Sequence, residues 1–350
     1  AVINVAGMTR RTFAAALGAA AGLRAWQNPA VRLGVEMGSI SSAKFTPFQY
    51  LDYLAKIGLQ VAQFNASTLG VELARPDEEI IRKVRDHAAK LGISTPIVSG
   101  SCICPSSSAF NAKLGTAEEQ IGYTLRLAKL MGATAARAVI GGFKERPAIE
   151  THVQNLARVL KSMRSQIRDS GVRIAMENHG GDFQARELKA LIEDVGHDVV
   201  GVCLDSGNPL WMMEDPHLTL ELLGPYALGS HVRDTAVWRV PEGVAVRWVN
   251  MGDGNVDIDG WLRKFRAMKP ELAVTFENIV SGQPRIIRTF DPATFADYPK
   301  MPAGDLARFL ALAEKGKPTP PAPPVEGKSR SQQQLEDLEV CVRYTRKLLG

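Results

Sequence analysis

The feature that most constrains this chain is a regular alternation, from about residue 31 onward, of short apolar segments with segments of helical periodicity. The helical segments end at glycines placed directly before the next apolar segment, as C-terminal glycines should be, namely Gly58, Gly92, Gly132 and Gly171. The apolar segments predict eight strands: VRLGVEM, LQVAQFNAS, STPIVSG, TAARAVIGG, VRIAMEN, VVGVCLD, ALGSHVRD and LAVTFEN. Right-handed βα units in that number close most simply into a (β/α)8 TIM barrel, so we predict one such domain over residues 30–350.

Two segments interrupt this alternation. Residues 236–256 contain two β-like runs around Pro241-Glu242-Gly243 and predict a hairpin insertion after strand 7, folded over the barrel mouth as a lid. Residues 281–330 include the proline-rich stretch KGKPTPPAPPVEGKS and are predicted to be an irregular insertion. The last segment, QQQLEDLEVCVRYTRKLLG, has helical spacing and is expected to supply the final helix.

Composition excludes several classes of protein. With 45% hydrophobic and 23% charged residues, the chain matches neither a disordered nor a fibrous protein. The net charge of +5 comes from basic residues scattered along predicted helices, which favours a solvated surface over a nucleic-acid groove. The four cysteines form no CxxC pair, and Cys203 lies in an apolar strand, where a buried thiol is expected.

The N-terminal region contains a twin-arginine pattern. Arg10 and Arg11 precede the small apolar run AAALGAAAGL, which predicts an export signal or tether over residues 1–29 and a periplasmic location. The alternatives are a helix packed on the closed end of the barrel and a cytoplasmic protein. The run is too short to span a bilayer, so we predict no membrane span.

Four side chains with metal-binding groups follow apolar strands in the second half of the predicted barrel: Glu177, Asp205, His231 and Glu277. Any one of them alone would more often be a helix cap, an ion-pair partner or a buried histidine. Four at successive strand ends favour one divalent metal ion. Three carboxylates and one imidazole suit Mn²⁺ best, with Mg²⁺, Co²⁺, Zn²⁺ or Fe²⁺ as alternatives.

The chain resembles the xylose-isomerase-like barrel superfamily, which includes sugar phosphate isomerases, ketose 3-epimerases, inosose dehydratases and endonuclease IV-type repair enzymes. The resemblance is carried by these four residues and by the segments CLDSGN, SHVRD and MGDGNVDIDGW. It implies a metal held by Glu177, Asp205, His231 and Glu277, a small carbohydrate substrate, and a homodimer or homotetramer. It also implies, by analogy with the ketose epimerases, that Glu177 and Glu277 are the catalytic acid/base pair.

The chemistry of these groups supports that assignment. Removing a proton from the carbon next to a carbonyl leaves an enediolate, whose charge a divalent ion stabilises. Two carboxylates on opposite faces of this planar species can remove the proton from one side and return it on the other. The result is an epimerisation.

The sequence departs from the family pattern in ways that bear on function. Asn208 occupies the place of a histidine that usually follows the strand-6 aspartate, and asparagine cannot shuttle protons near neutral pH. Val246-Arg247-Trp248 stands where the repair enzymes have zinc ligands before the turn Gly252-Asp253-Gly254. Asn65 and Ser99 end strands 2 and 3 without a histidine nearby, so a trinuclear zinc cluster and DNA repair are not expected.

Further polar and aromatic residues are candidates for binding substrate. His179 points the same way as Glu177 along its strand, although a surface role is an equal alternative. The other polar candidates at the open face are Glu36, Asn65, Asn208, Arg233 and Asp234. Trp211, Trp238 and Trp248 lie in loops where aromatic rings stack on sugars, with core packing as the competing interpretation.

Three functional hypotheses remain from the sequence. The first is a metal-dependent isomerase or epimerase acting on a keto-sugar. The second is a lyase or hydratase acting on a 3-keto-glycoside or inosose, which uses the same enolate but expels a leaving group. The third is a non-catalytic sugar-binding barrel, which would not need two carboxylates and a metal. Phosphorylated substrates are disfavoured because no glycine-rich phosphate loop is present.

Overall fold

Eight parallel strands surround the centre of the computed structural model, which describes residues 31–280, 282–321 and 326–350. The barrel strands are β1 (Leu33–Glu36), β2 (Val61–Asn65), β3 (Ile97–Cys102), β4 (Ala135–Val139), β5 (Arg173–Glu177), β6 (Val200–Asp205), β7 (Ala227–His231) and, after an insertion, β10 (Val274–Phe276). Each strand pairs with its neighbour in chain order, and β10 pairs with β1. The (β/α)8 prediction is confirmed.

Closure of the barrel between β7 and β10 occurs one residue beyond the end of β7. The Val232 N–H donates to the Thr275 carbonyl at 2.8 Å, and the Glu277 N–H donates to the Val232 carbonyl at 3.2 Å. The Ser230 hydroxyl adds a bond to the Ala273 carbonyl at 3.0 Å. These bonds fix the end of β10 beside the end of β7, so His231 and Glu277 meet at the open face.

Helices cover the outside of the barrel and begin at conventional caps. Thr46 and Thr116 each form a capping box, and Gly132 ends its helix in the left-handed conformation at φ 74°. The predicted helix near 149–170 is divided at Met163. The helices before the insertion are α1 (Pro47–Lys56), α2 (Glu78–Lys90), α3 (Ala117–Met131), α4 (Ile149–Ser162), α5 (Arg164–Ser170), α6 (Ala185–Val195), α7 (Asn208–Trp211) and α8 (Pro216–Leu223), and α9 (Ile258–Met268) precedes β10.

The predicted hairpin is present and belongs to a small three-stranded sheet. Strands β8 (Asp234–Val240) and β9 (Gly243–Val249) are antiparallel, and β11 (Arg285–Ile287) pairs with β9. The hairpin starts at Asp234, two residues earlier than predicted, because Asp234 already pairs with Val249.

The prediction of an irregular segment over residues 281–330 is wrong in part. It contains β11, a short 3₁₀ helix at Pro292–Asp297 and the helix α10 (Ala303–Lys315). Phe309 and Ala313, one turn apart on α10, pack in one cluster with Val237 and Val246 of the hairpin sheet. This tertiary burial stabilises a helix that the neighbouring prolines obscured in the sequence. The described part of the proline-rich stretch has no regular structure, and α11 (Arg330–Leu349) follows it, capped by Ser329.

The compact unit that contains the barrel spans residues 32–350. The predicted export segment, residues 1–29, lies outside the described residues and stays a prediction. Among the described helices, none combines the length and the apolar character needed to cross a membrane.

Candidate metal centre

The four predicted ligand residues converge at the open end of the barrel. Glu177, Asp205 and His231 are the last residues of three adjacent strands, and Glu277 directly follows β10. One potential ligand atom from each lies within 4.8 Å of the others. Glu177, Asp205 and His231 are fully buried, whereas the Glu277 side chain keeps 15% of its surface exposed. The group is therefore reachable from the mouth of the barrel on the Glu277 side.

The imidazole of His231 directs Nδ1 toward the carboxylates. Nδ1 lies 3.1 Å from Oε2 of Glu277 and 3.4 Å from Oε1 of Glu177. On the other side of the ring, Nε2 lies 3.1 Å from Oε1 of Gln63, whose own amide nitrogen donates to the Ser99 hydroxyl at 2.7 Å. Because the Gln63 oxygen can only accept, Nε2 carries the proton and Nδ1 is the nitrogen available to a metal.

This donor set fits one divalent ion. Metal bonds of about 2.0–2.2 Å from nitrogen and carboxylate ligands place donor atoms roughly 3–4 Å apart, so small side-chain movements would complete the shell. Three negatively charged carboxylates and one imidazole that converge in a buried site are the features that such a centre requires. In the described part of the chain, these four residues form the one group of acidic, histidine or cysteine side chains arranged to hold an ion.

Asp205 is held by backbone and side-chain donors. Its Oδ1 accepts the N–H groups of Gly207 and Asn208, both at 2.7 Å, at the start of α7. Its Oδ2 accepts Nε and Nη2 of Arg233 at 3.1 and 2.6 Å. Burial outweighs the guanidinium of Arg233 and raises the pKa of Asp205 to about 6. The carboxylate is thus fixed in position without a metal.

Two guanidinium groups neutralise the glutamates. Arg137, on β4, makes a buried ion pair with Glu177, and Arg233 makes one with Glu277. Burial favours the neutral carboxyl, but Arg137 and His231 together outweigh it and lower the pKa of Glu177 to about 2. Burial also favours the neutral form of Glu277, but Arg233 and His231 hold the pKa of this carboxyl well below its usual range. Both glutamates are therefore ionised at neutral pH.

An aromatic wall borders the ligand group. The guanidinium of Arg233 lies over the Trp248 ring at 4.1 Å, and Trp248 stacks on Trp211 with centroids 3.9 Å apart and an interplanar angle of 5°. Glycines permit this approach, because a Cβ on Gly207 would lie 2.4 Å from Cγ of Arg233 and one on Gly180 would lie 2.9 Å from Cε3 of Trp211. Arg233 contacts two of the ligand residues, with Trp248 and then Trp211 stacked against it, and substrate binding by these three stays a prediction.

Two other candidates also lie at the ligand group. The side-chain amide of Asn208 donates to Oε1 of Glu177 at 3.2 Å. Glu36, at the end of β1, is buried, and burial together with the charge of Glu277 raises the pKa of Glu36 to about 7. Asn208 and Glu36 therefore remain candidates for contacting a bound molecule.

Two candidates make structural contacts. The Asp234 carboxylate accepts the N–H groups of Thr235, Gly252 and Gly254 at 2.7, 2.9 and 3.0 Å and so shapes the turn after β9. Most of its acceptor capacity is thus used by the backbone, and substrate binding by Asp234 stays a prediction. Trp238 pairs with Ala245, and strand alternation places it on the face of the hairpin opposite Trp248, in a small apolar cluster. This packing favours the core-packing interpretation for Trp238.

Two further candidates do not join the ligand group. The Asn65 side chain accepts the Thr68 N–H at 2.8 Å, which closes the turn after β2. His179 faces Asp182, with Nδ1 3.8 Å from Oδ2, and makes no hydrogen bond to the four ligand residues within the described structure. Strand alternation predicts side-chain directions only up to Glu177, the last residue of β5. It therefore does not determine the direction of His179, which lies beyond the strand.

The sequence analysis missed Gln63 and Arg137. Both interrupt otherwise apolar or small-residue strands, VAQFN and AARAV. A polar side chain within a strand buried on both faces must point into the barrel or leave its polar groups unsatisfied. That interruption of an apolar strand by a polar residue is the signal in the sequence that distinguishes Gln63 and Arg137.

The fold and the four-residue group define the chain as a (β/α)8 barrel with a candidate metal centre at the carboxyl ends of its strands. The model of the xylose isomerase-like TIM barrel family matches residues 51–289. The chain therefore belongs to the xylose isomerase-like TIM barrel family.

Individual relatives are distant. The chain is 23% identical over 211 residues to a 3-oxo-isoapionate decarboxylase from Pectobacterium atrosepticum, covering 60% of this chain and 69% of that protein. A D-psicose 3-epimerase structure from Clostridium cellulolyticum superposes with a TM-score of 0.57 at 13% identity over 91% of this chain and 99% of that one. The IolI protein, solved with a zinc atom, gives 0.57 at 14% identity over 91% and 98%. These two structures show the shared fold alone.

Proposed function

We propose that this protein is a divalent-metal-dependent enzyme that acts on a keto-sugar by transferring a proton at the carbon beside the carbonyl, as an isomerase or epimerase does. The observation that carries the proposal is the placement of two ionised glutamates, Glu177 and Glu277, at 3.4 and 3.1 Å from the Nδ1 atom of His231. We further propose Mn²⁺ as the ion, because hard carboxylate oxygens form most of the donor set.

The residues of the chain divide the work of such a reaction. A bound divalent ion would polarise the carbonyl and stabilise negative charge on its oxygen. Glu177 and Glu277 can each accept a proton, since both are ionised at neutral pH. Asn208 and Arg233 have donors for substrate oxygens, and the Trp248 ring supports the guanidinium of Arg233.

Exchange with solvent deuterium tests this proposal. Mn²⁺-loaded protein would be incubated in D₂O with a panel of neutral ketoses, including D-fructose and D-psicose, and of sugar-derived keto acids, and loss of the proton signal beside the carbonyl followed by NMR. We expect exchange with at least one member of the panel, and exchange at the background rate for Glu277→Gln. No exchange with any member of the panel, from protein shown to contain the metal, would count against the isomerase or epimerase activity.

A lyase is the second candidate, and one observation favours it. Each glutamate is paired with an arginine, which makes both weak bases, and Asn208 replaces a histidine in the family pattern. Decarboxylation of a β-keto acid breaks the bond to the carboxylate, releases carbon dioxide and leaves its electron pair as the enolate, so no base has to remove a carbon-bound proton. The relative named as a decarboxylase agrees with this possibility. Product analysis separates the two, since an epimer or isomer indicates the first and an unsaturated sugar, an aglycone or carbon dioxide the second.

A further inference from the structure

We propose that the substrate is a keto acid, a keto-sugar that carries a carboxylate, and that Arg137 and Arg233 bind this carboxylate beside the ligand group. The inference deepens the proposed function and depends on it. It assigns Arg137 a role in choosing the substrate.

Arg137 offers an unused edge to a ligand. Its Nε and Nη2 atoms both face one oxygen of Glu177, Oε2. Its Nη1 makes no hydrogen bond to any residue in the described structure, and 15% of its side chain stays exposed. A guanidinium presents parallel donors that match a carboxylate, so a second, substrate carboxylate can occupy the remaining edge.

Arg233 has a similar free donor. Its Nε and Nη2 atoms bind Asp205, and Nη2 also pairs with Glu277. Its Nη1 is buried and has no hydrogen-bond partner within the described ranges, although the side chain is only 2% exposed. A buried donor without a partner is costly, so one that persists beside a binding site indicates an acceptor supplied by the ligand.

The charges of the site also favour an anion. Three carboxylates around a divalent ion would leave a net negative charge, and Glu36 adds a fourth carboxyl group nearby. With Arg137 and Arg233 included, the net charge of the site is zero if Glu36 is ionised and one positive charge if it is not. A neutral sugar does not require this compensation, whereas an anionic substrate would be repelled without it.

The test compares the binding of matched acids and alcohols. Mn²⁺-loaded protein would be titrated by calorimetry with D-ribonate and D-gluconate, and with ribitol and D-glucitol, which replace the carboxylate by a hydroxymethyl group. We expect the better aldonate to bind at least tenfold more tightly than its alditol. Arg137→Met should remove most of this preference, while Arg137→Lys should keep part of it. Arg173→Met, which removes an arginine at the opposite end of the neighbouring strand β5, is the matched control and should change nothing.

The Mn²⁺ affinity of every variant would be measured first, because an aldonate can also bind the ion directly. Arg233→Met serves as the second variant should Arg137→Met fail to load the metal. Equal affinity for aldonate and alditol in metal-loaded wild type, or a preference that survives both arginine substitutions, overturns the inference and leaves the proposed function standing. Failure of the wild type to bind Mn²⁺ overturns both.

Discussion

Gln63 holds His231 in one tautomer: its Oε1 lies 3.1 Å from Nε2 of the imidazole, while its amide nitrogen is engaged by Ser99. When the ring is neutral, its lone pair is therefore on Nδ1, which lies 3.4 Å from Glu177 and 3.1 Å from Glu277. A residue in the interior of β2 thus determines the geometry of a centre whose candidate ligands all come from the other half of the barrel.

Replacing Gln63 by leucine should weaken metal binding. The substitution removes the acceptor for Nε2–H, so the ring is free to turn or to change tautomer, and loss of such a partner typically reduces metal affinity about 10- to 100-fold. Calorimetric titration with Mn²⁺ measures the change. Gln60→Leu is the control, because Gln60 accepts a backbone bond from Leu33, outside the ligand group. An unchanged Mn²⁺ affinity in the Gln63 variant would show that the imidazole is oriented by other contacts.

Metal binding should release a proton and strengthen as pH rises. Burial opposes ionisation, but the neighbouring Cys203 and the two glutamates raise the pKa of His231 well above its usual value. The metal-free fold therefore holds this proton at neutral pH, and the stability it contributes is lost as pH rises through that raised value. An ion must displace the proton from Nδ1, so Mn²⁺ affinity should rise up to about tenfold per pH unit below the raised pKa.

Calorimetry in buffers of different ionisation enthalpy counts the protons released on Mn²⁺ binding at neutral pH. We expect about one proton per ion, because one imidazole is the ligand that must be deprotonated. Binding without proton release, with an affinity that is flat across neutral pH, would contradict the position of His231 in the centre.

Trp248 and Trp238 should differ sharply on substitution by leucine. Trp248→Leu removes the ring beneath Arg233, and a cation–π contact of about 1 kcal/mol corresponds to roughly fivefold weaker ligand binding. Trp238→Leu should lower the free energy of unfolding and leave ligand affinity unchanged, since its ring packs on the other face of the hairpin. Titration of both variants with a ketose or aldonate that binds the wild type gives the ligand affinities, and denaturant unfolding gives the free energies of unfolding. Equal losses of affinity would argue against an aromatic wall formed by Trp211 and Trp248.

Asp234→Ala should destabilise the protein without weakening Mn²⁺ binding. The substitution leaves three backbone N–H groups without their acceptor, which we expect to cost about 3 kcal/mol of unfolding free energy. Urea unfolding gives the stability, and titration of the folded variant gives the affinity. A stable variant that had lost affinity for sugar or metal would make Asp234 a residue of the site.

Much of this architecture could be predicted because it follows from local patterns. Strand and helix periods, with glycines such as Gly132 and Gly171, fix the alternation of elements, and the parallel register brings Glu177, Asp205 and His231 to one edge. The misassigned elements depend on contacts between distant parts of the chain. Helix α10 is stabilised by the hairpin sheet.

The same limit applies to individual side chains. Asp234 turns toward a loop that follows β9, so proximity in sequence to His231 does not determine its contacts. Gln63 and Arg137 act inside the barrel, where only their polarity within apolar strands distinguishes them in the sequence. Periodicity predicts which face a residue occupies, and it does not predict which partner it finds there.

Metal content per chain tests the central claim most directly. Protein purified, stripped of metal and reloaded with Mn²⁺ would be analysed by elemental mass spectrometry and by electron paramagnetic resonance, beside His231→Gln and Asp205→Asn. We predict one tightly held ion per wild-type chain and its loss from both variants, with His217→Gln, a histidine on α8, unaffected. A wild-type chain that holds no stoichiometric ion, or variants that hold it as well as the wild type does, would contradict the account.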